Sequence, residues 1–140
     1  MKTYTLRGQF NANETKRLIL GDGRLNVAYR VRRFLVSGDP SNALNDAFGT
    51  LGFDFDMPAV WNWGDNRQIA WAATRIQGND SAEAPFSLVD KDATVVSDLY
   101  IAGGSGGTVV NYYVELEEVH LTENETVIAL IKERSQDDIR

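Results

Sequence analysis

Two pairs of carboxylates stand at a spacing that puts them on one side of an extended chain: Asp54 with Asp56, and Glu115 with Glu117. Residues i and i+2 of a strand project to the same face, so either pair could work as acid and base or give oxygens to Ca2+. Calcium takes roughly six to eight oxygens, and no calcium-loop spacing surrounds these residues; solvated strand faces account for both pairs. The chain has one histidine, His120, and no cysteine. His120 falls where a strand-to-helix connection calls for a polar residue. Nucleophilic chemistry needs a nucleophile, a base and an orienting group in one place, and no such set is visible. The expectation is a protein that is not an enzyme, with no catalytic residue, no metal and no cofactor.

Three other groupings could bind rather than react. Arg24, Arg30, Arg32 and Arg33, with Lys16 and Arg17 nearby, form the basic concentration of the chain. They suit an anionic contact, either nucleic acid or the acidic run Glu115, Glu117 and Glu118 of a neighbouring subunit; an ordinary charged sheet face is the plainer reading. Gly21-Asp22-Gly23-Arg24 lacks the Lys-Ser/Thr and the following helix of a phosphate loop. Trp61, Trp63 and Trp71 offer flat apolar rings that could stack on sugar faces, although three tryptophans so close in sequence more often serve hairpin and core packing.

These residues need strands to position them. Thr3–Phe10 alternates, with Tyr4, Leu6 and Phe10 on one face. Segments 15–20 and 24–36 flank Gly21-Asp22-Gly23, which predicts a hairpin, and Arg33-Phe34 breaks the alternation of the second arm, which predicts a bulge or a bend. Residues 41–48 read as loop. Phe53, Phe55 and Met57 alternate with Asp54 and Asp56 as a short strand, and Trp61 and Trp63 continue the period into a second hairpin with residues 68–76. A short edge strand is expected at Phe86–Val89. Residues 95–102 and 108–119 flank the glycine-rich tip 103–107 as a third hairpin. Its long arm places Val110, Tyr112, Val114 and Leu116 inside and Asn111, Tyr113, Glu115 and Glu117 outside. Thr122 followed by Glu125 is a capping box that opens a helix over about 122–134, with Val127, Leu130 and Ile131 as an apolar stripe widened by Ile128.

The 140 residues and 43% apolar content suit one domain with a sizeable core and no disulfides. Many short antiparallel strands and one helix make the expected fold all-β: a single β-sandwich domain spanning residues 1–140, jelly-roll-like, with one short C-terminal α-helix. The net charge of −6 opposes phosphate-backbone binding as the main role. No stretch approaches the roughly 18 apolar residues of a membrane span, so none is expected.

The segment DLYIAGGSGGTVVNYYVELEEVHLTENETVIALIKERSQDD resembles the C-terminal part of small proteins of marine bacteriophage genomes, in which a DLYI strand, a loop and NYYVELEEV precede an acidic-capped helix ending in ERSQD. The resemblance covers Val95–Asp138, with a fainter echo around the tryptophans. It implies a capsid-associated structural protein of the virion (coat, vertex or decoration subunit), assembled in the host cytoplasm as a homo-oligomer with other virion proteins as partners. It transfers no catalytic residue. The expected subunit-interface residues are Arg30, Arg32, Arg33, Glu115 and Glu117, with Val127, Leu130 and Ile131 of the helix. The alternative is a β-sandwich carbohydrate-binding module for host attachment, built on Trp61, Trp63 and Trp71.

Overall fold

The computed structural model of the chain describes residues 2–20, 26–39, 46–74, 86–122, 124–126, 128 and 131. Eight strands follow one another: β1 (Thr3–Asn11), β2 (Thr15–Leu18), β3 (Val27–Ser37), β4 (Ala47–Gly52), β5 (Gln68–Thr74), β6 (Phe86–Val89), β7 (Leu99–Ser105) and β8 (Val109–His120). They form two antiparallel sheets, a three-stranded one in the order β1-β8-β3 and a five-stranded one in the order β2-β7-β4-β5-β6. Packed face to face, the sheets make an all-β sandwich. Strand β6 closes one side: it pairs with β5, and its Ser87 hydroxyl donates to the carbonyl of Phe34 on β3 at 2.7 Å.

The core is built from alternate residues of both inner faces. Strand β8 supplies Val110, Tyr112, Val114 and Leu116, strand β3 supplies Val31, Phe34 and Val36, and Leu51, Leu99 and Ile101 come from the opposite sheet. The predicted phase of β8 is therefore the observed one. Gly49 sets how closely the sheets approach, because a Cβ there would lie 2.8 Å from a methyl of Val36 and 3.0 Å from the ring of Phe34. The bulge expected near Arg33 is present: pairing with β8 steps from Val31 opposite Leu116 to Arg33 opposite Glu115, leaving Arg32 as the additional residue.

Three expected hairpins are corrected. Segment 15–20 does not fold back on segment 24–36, because β2 pairs with β7 in one sheet while β3 pairs with β8 in the other; Gly21-Asp22-Gly23 lies outside the described residues. Likewise β7 and β8 belong to different sheets, so the glycine-rich stretch crosses the sandwich edge. Gly103, Gly104 and Ser105 belong to strand β7 itself, and Val95 makes an isolated bridge to Tyr29 instead of starting the strand. In the third case β4 does pair with β5, but its arm is Ala47–Gly52, part of it in a stretch expected to be loop, while residues 53–57 are not a strand. What joins β4 to β5 is a 15-residue segment, residues 53–67.

The capping box forms as predicted. Thr122 Oγ1 accepts from the Glu125 backbone N–H (3.2 Å) and Glu125 Oε1 accepts from that of Thr122 (3.3 Å). Asn124, Glu125, Thr126, Ile128 and Ile131 are helical; Val127 and Leu130 lie outside the residues whose side chains are described, and Ile128 and Ile131 are exposed.

Candidate binding surface: an aromatic strap on the five-stranded sheet

Alternation in β4 and β5 gives the five-stranded sheet an apolar outer side. Leu51 and Ala70 are paired and enter the core, so their neighbours Thr50 and Trp71, also paired, face the other way. An apolar outer face exposed to water is unfavourable, and residues 53–67 cover it. Thr50, fully buried, donates its hydroxyl to the carbonyl of Ala59 at 2.9 Å. Three aromatic pairs repeat along the strap: Phe55 edge-on to Tyr100 (6.1 Å between centroids), Trp61 tilted over Phe86 (5.3 Å), and Trp63 edge-on to Trp71 (6.1 Å). Each is within the range of favourable ring packing.

Two adjacent buried polar residues where this segment enters β5 shape it, and neither carried a signal in the sequence. Gln68, 3% exposed, uses its whole hydrogen-bonding capacity. Its Nε2 donates to the carbonyls of Pro58 and Val60, both at 3.0 Å, while its Oε1 accepts from the backbone N–H of Asn62 (2.9 Å) and the indole of Trp71 (2.8 Å). Beside it, the buried Arg67 guanidinium makes a two-pronged contact with Asp65 (2.9 and 2.7 Å) and reaches Asp54 at 3.3 Å. Hydrogen bonding to Asp65 pushes the guanidinium above its already high ordinary pKa, against the opposing effect of burial. The backbone joins in, since the Arg67 carbonyl accepts from Phe53 N–H at 2.9 Å. The strap is thus pinned from beneath while its Phe55, Val60 and Trp63 remain exposed, as do Phe86, over which Trp61 leans, and Leu88 of β6.

The residues singled out from the sequence are brought together only in part. Asp54 and Asp56 lie in the strap: Asp54 Oδ1 accepts from Asp56 N–H (3.1 Å) and Oδ2 faces Arg67. No metal-type cluster of acidic or histidine side chains occurs among the described residues. The basic and acidic interface candidates meet within the chain, for Arg30 is paired with Glu117 and Arg33 with Glu115 across the β3–β8 ladder, and Arg32 Nη1 lies 2.5 Å from Glu117 Oε2. Glu117 and Glu118, expected on a wet edge, are buried. As the middle strand, β8 is flanked on both sides, and Glu118 accepts a 2.7 Å hydrogen bond from the Tyr4 hydroxyl. His120 is exposed, with Nε2 3.5 Å from Glu118 Oε1.

The three tryptophans do not form one platform. Trp61 leans on Phe86 and donates to the Gly49 carbonyl (3.3 Å), Trp71 is buried, and Trp63 alone presents most of its indole to solvent. Trp63 and Trp71 border a groove of about 470 Å3 that continues past Phe53 to the 90–94 turn and to Leu121 and Ile128 near the helix. No helix among the described residues is long and apolar enough to cross a membrane. No protein-family model, no curated protein and no solved structure matches the chain.

Proposed function

We propose that the chain is a non-enzymatic structural subunit of a bacteriophage virion, a coat, vertex or decoration protein that works by packing against copies of itself and against other virion proteins. The observation that carries this reading is the apolar outer surface of the strap and β6, where Phe55, Val60, Trp63, Phe86 and Leu88 are all exposed. Exposed apolar side chains gathered on one element mark contact sites, and aromatic side chains are enriched where proteins meet. Strand pairing supports the jelly-roll form of the sandwich. A long hairpin rolled into a jelly roll pairs its first strand with its last and works inward; here β1 pairs with β8, β2 with β7 and β4 with β5, while β6 touches β3 through Ser87 and Phe34. The C-terminal resemblance supplies the particle context.

Assembly in this reading runs through apolar surface rather than opposed charge. Arg32 and Glu117 already satisfy one another inside the chain, so association is expected to persist as ionic strength rises from about 0.05 to about 0.5 M, over which range exposed charges become screened. Sedimentation across a concentration series at both salt levels tests it, together with mass spectrometry of purified particles. A chain that stays monomeric at high concentration and is missing from particles defeats the proposal. For the sugar-binding alternative, Trp63 is the exposed ring of the three; saturable glycan binding by such a monomer would favour it.

A further inference from the structure

The groove beside Trp63 has a chemistry distinct from the rest of the strap. Its aromatic lining comes from Trp63, Trp71 and Phe53, with Trp63 63% exposed. The same groove is lined by Asp90 and Asp92 from the turn after β6, by Glu125 from the first helical turn, and by Asp65. Arg67 holds Asp65 by two hydrogen bonds. Neither Asp90 nor Asp92 has an ion-pair partner among the described residues, and Arg30 is the cation that lines the groove among them. Among the described lining residues, four carboxylates stand with one cation, Arg30, beside an open indole, and Asp65 alone of the four is held by Arg67.

We propose that this groove receives a cationic side chain, a guanidinium or an alkylammonium, presented by a partner protein. A cation over an indole is attracted by the negative face of the ring, most strongly for tryptophan. Carboxylates in a concave site concentrate negative potential there. A neutral sugar would use the ring but gain nothing from that potential, whereas a basic side chain uses both. The turn that carries the carboxylates is set in place before any ligand arrives: Asp90 N–H donates to the Ile69 carbonyl of β5 at 2.8 Å, and Asp92 N–H donates to Asp90 Oδ1 at 3.1 Å. The stem of an arginine or lysine would lie along Trp63 while its head reaches Asp92, the arrangement in which long basic side chains bury their methylenes and keep their charge paired. This inference stands independently of the particle reading, since it needs only a partner that offers a basic residue.

The test uses the full chain, tryptophan fluorescence and amide chemical shifts, with five probes: n-butylguanidinium, its neutral counterpart n-butylurea, methyl glucoside, and the capped peptides acetyl-Gly-Arg-Gly-amide and acetyl-Gly-Gln-Gly-amide. Saturable binding of n-butylguanidinium and of the arginine peptide in the millimolar range is expected, as befits a single small contact. The urea and the glutamine peptide should bind about tenfold more weakly or not at all. Trp63→Ala and Asp92→Asn, both at exposed side chains, should each weaken the arginine peptide severalfold without altering the rest of the amide spectrum. Equal response to charged and neutral probes overturns the proposal. So does binding of methyl glucoside without binding of the cations, which would assign the groove to sugar, and so does binding of the small cation without the peptide, which would exclude a protein partner.

Discussion

The indole Nε1 of Trp71 donates to the carboxamide oxygen of Gln68 at 2.8 Å, three residues apart on the same strand, and both side chains are buried. The same carboxamide holds Pro58, Val60 and Asn62, so one side chain couples a strand of the sandwich to the strap that covers it.

Gln68→Ala is expected to cost about 2–4 kcal/mol in urea unfolding, because buried partners left unsatisfied cost roughly 1–3 kcal/mol each before water relieves some of them. The fluorescence of Trp61 and Trp63 should shift with it. Asn66→Ala, at an exposed position of the same segment, should stay within about 0.5 kcal/mol. Equal effects at the two positions would show that the carboxamide does not organise the strap.

Arg67→Met removes the cation from between Asp65 and Asp54 and should cost about 3–5 kcal/mol, the range for breaking a buried ion pair by deleting one partner. The double change Arg67→Met with Asp65→Leu should recover part of that loss. Thermal unfolding of the two single variants and the double variant measures the coupling; additive losses would mean that the contact contributes nothing as a pair.

Leu116→Ala should cost about 2–5 kcal/mol and Glu115→Ala no more than about 0.5 kcal/mol, since Leu116 is buried in the core and Glu115 is on the opposite face of β8. Glu117 behaves differently from either. Its partner Arg32 is mostly exposed, so Glu117→Gln should cost no more than about 1 kcal/mol and the loss should shrink with added salt. A loss of several kcal/mol at Glu117, unaffected by salt, would place that carboxylate in a tighter network than its contact with Arg32.

Gly49→Ala should destabilise by about 1–3 kcal/mol, because the added methyl must displace Val36 or Phe34 of the facing sheet. Adding Val36→Ala should return some of the stability by making room. Chemical unfolding of both variants reads the result, and a neutral Gly49→Ala would mean that the sheets separate more easily than their packing suggests.

The sequence conveyed which face each strand presents better than it conveyed which strand lies beside it. Alternation marked Val110, Tyr112, Val114 and Leu116 as core, the broken period at Arg33 marked the bulge, and Thr122 with Glu125 marked the cap. Partnership was hidden because a glycine-rich connection between two strands reads the same whether the chain turns back within a sheet or crosses to the other one. Strand β4 was hidden for a different reason. Residues 41–48 read as loop, with two glycines close behind, yet Gly49 and Gly52 serve close approach: a Cβ on Gly49 would press on the facing sheet, and one on Gly52 would collide with the Arg67 carbonyl. The strap looked like a strand because its aromatic residues alternate, but Phe55, Trp61 and Trp63 each answer to a ring of the sheet, and the residues that hold its backbone, Arg67 and Gln68, look like ordinary surface polar residues until their burial is seen.

The ladder between β1 and β8 sets Thr3 opposite Glu117 and Asn11 opposite Val109, joining stretches about as far apart in sequence as this chain allows. During synthesis, β1 emerges early and waits for its neighbour until β8 has left the ribosome, and β2 waits in the same way for β7. Distant pairing of this kind is slow because loop closure must precede the contacts that reward it, and unpaired strand edges invite association with other chains in the interval. Until β7 and β8 arrive, a chain therefore carries β1 and β2 with open edges, and its folding waits on the last two strands.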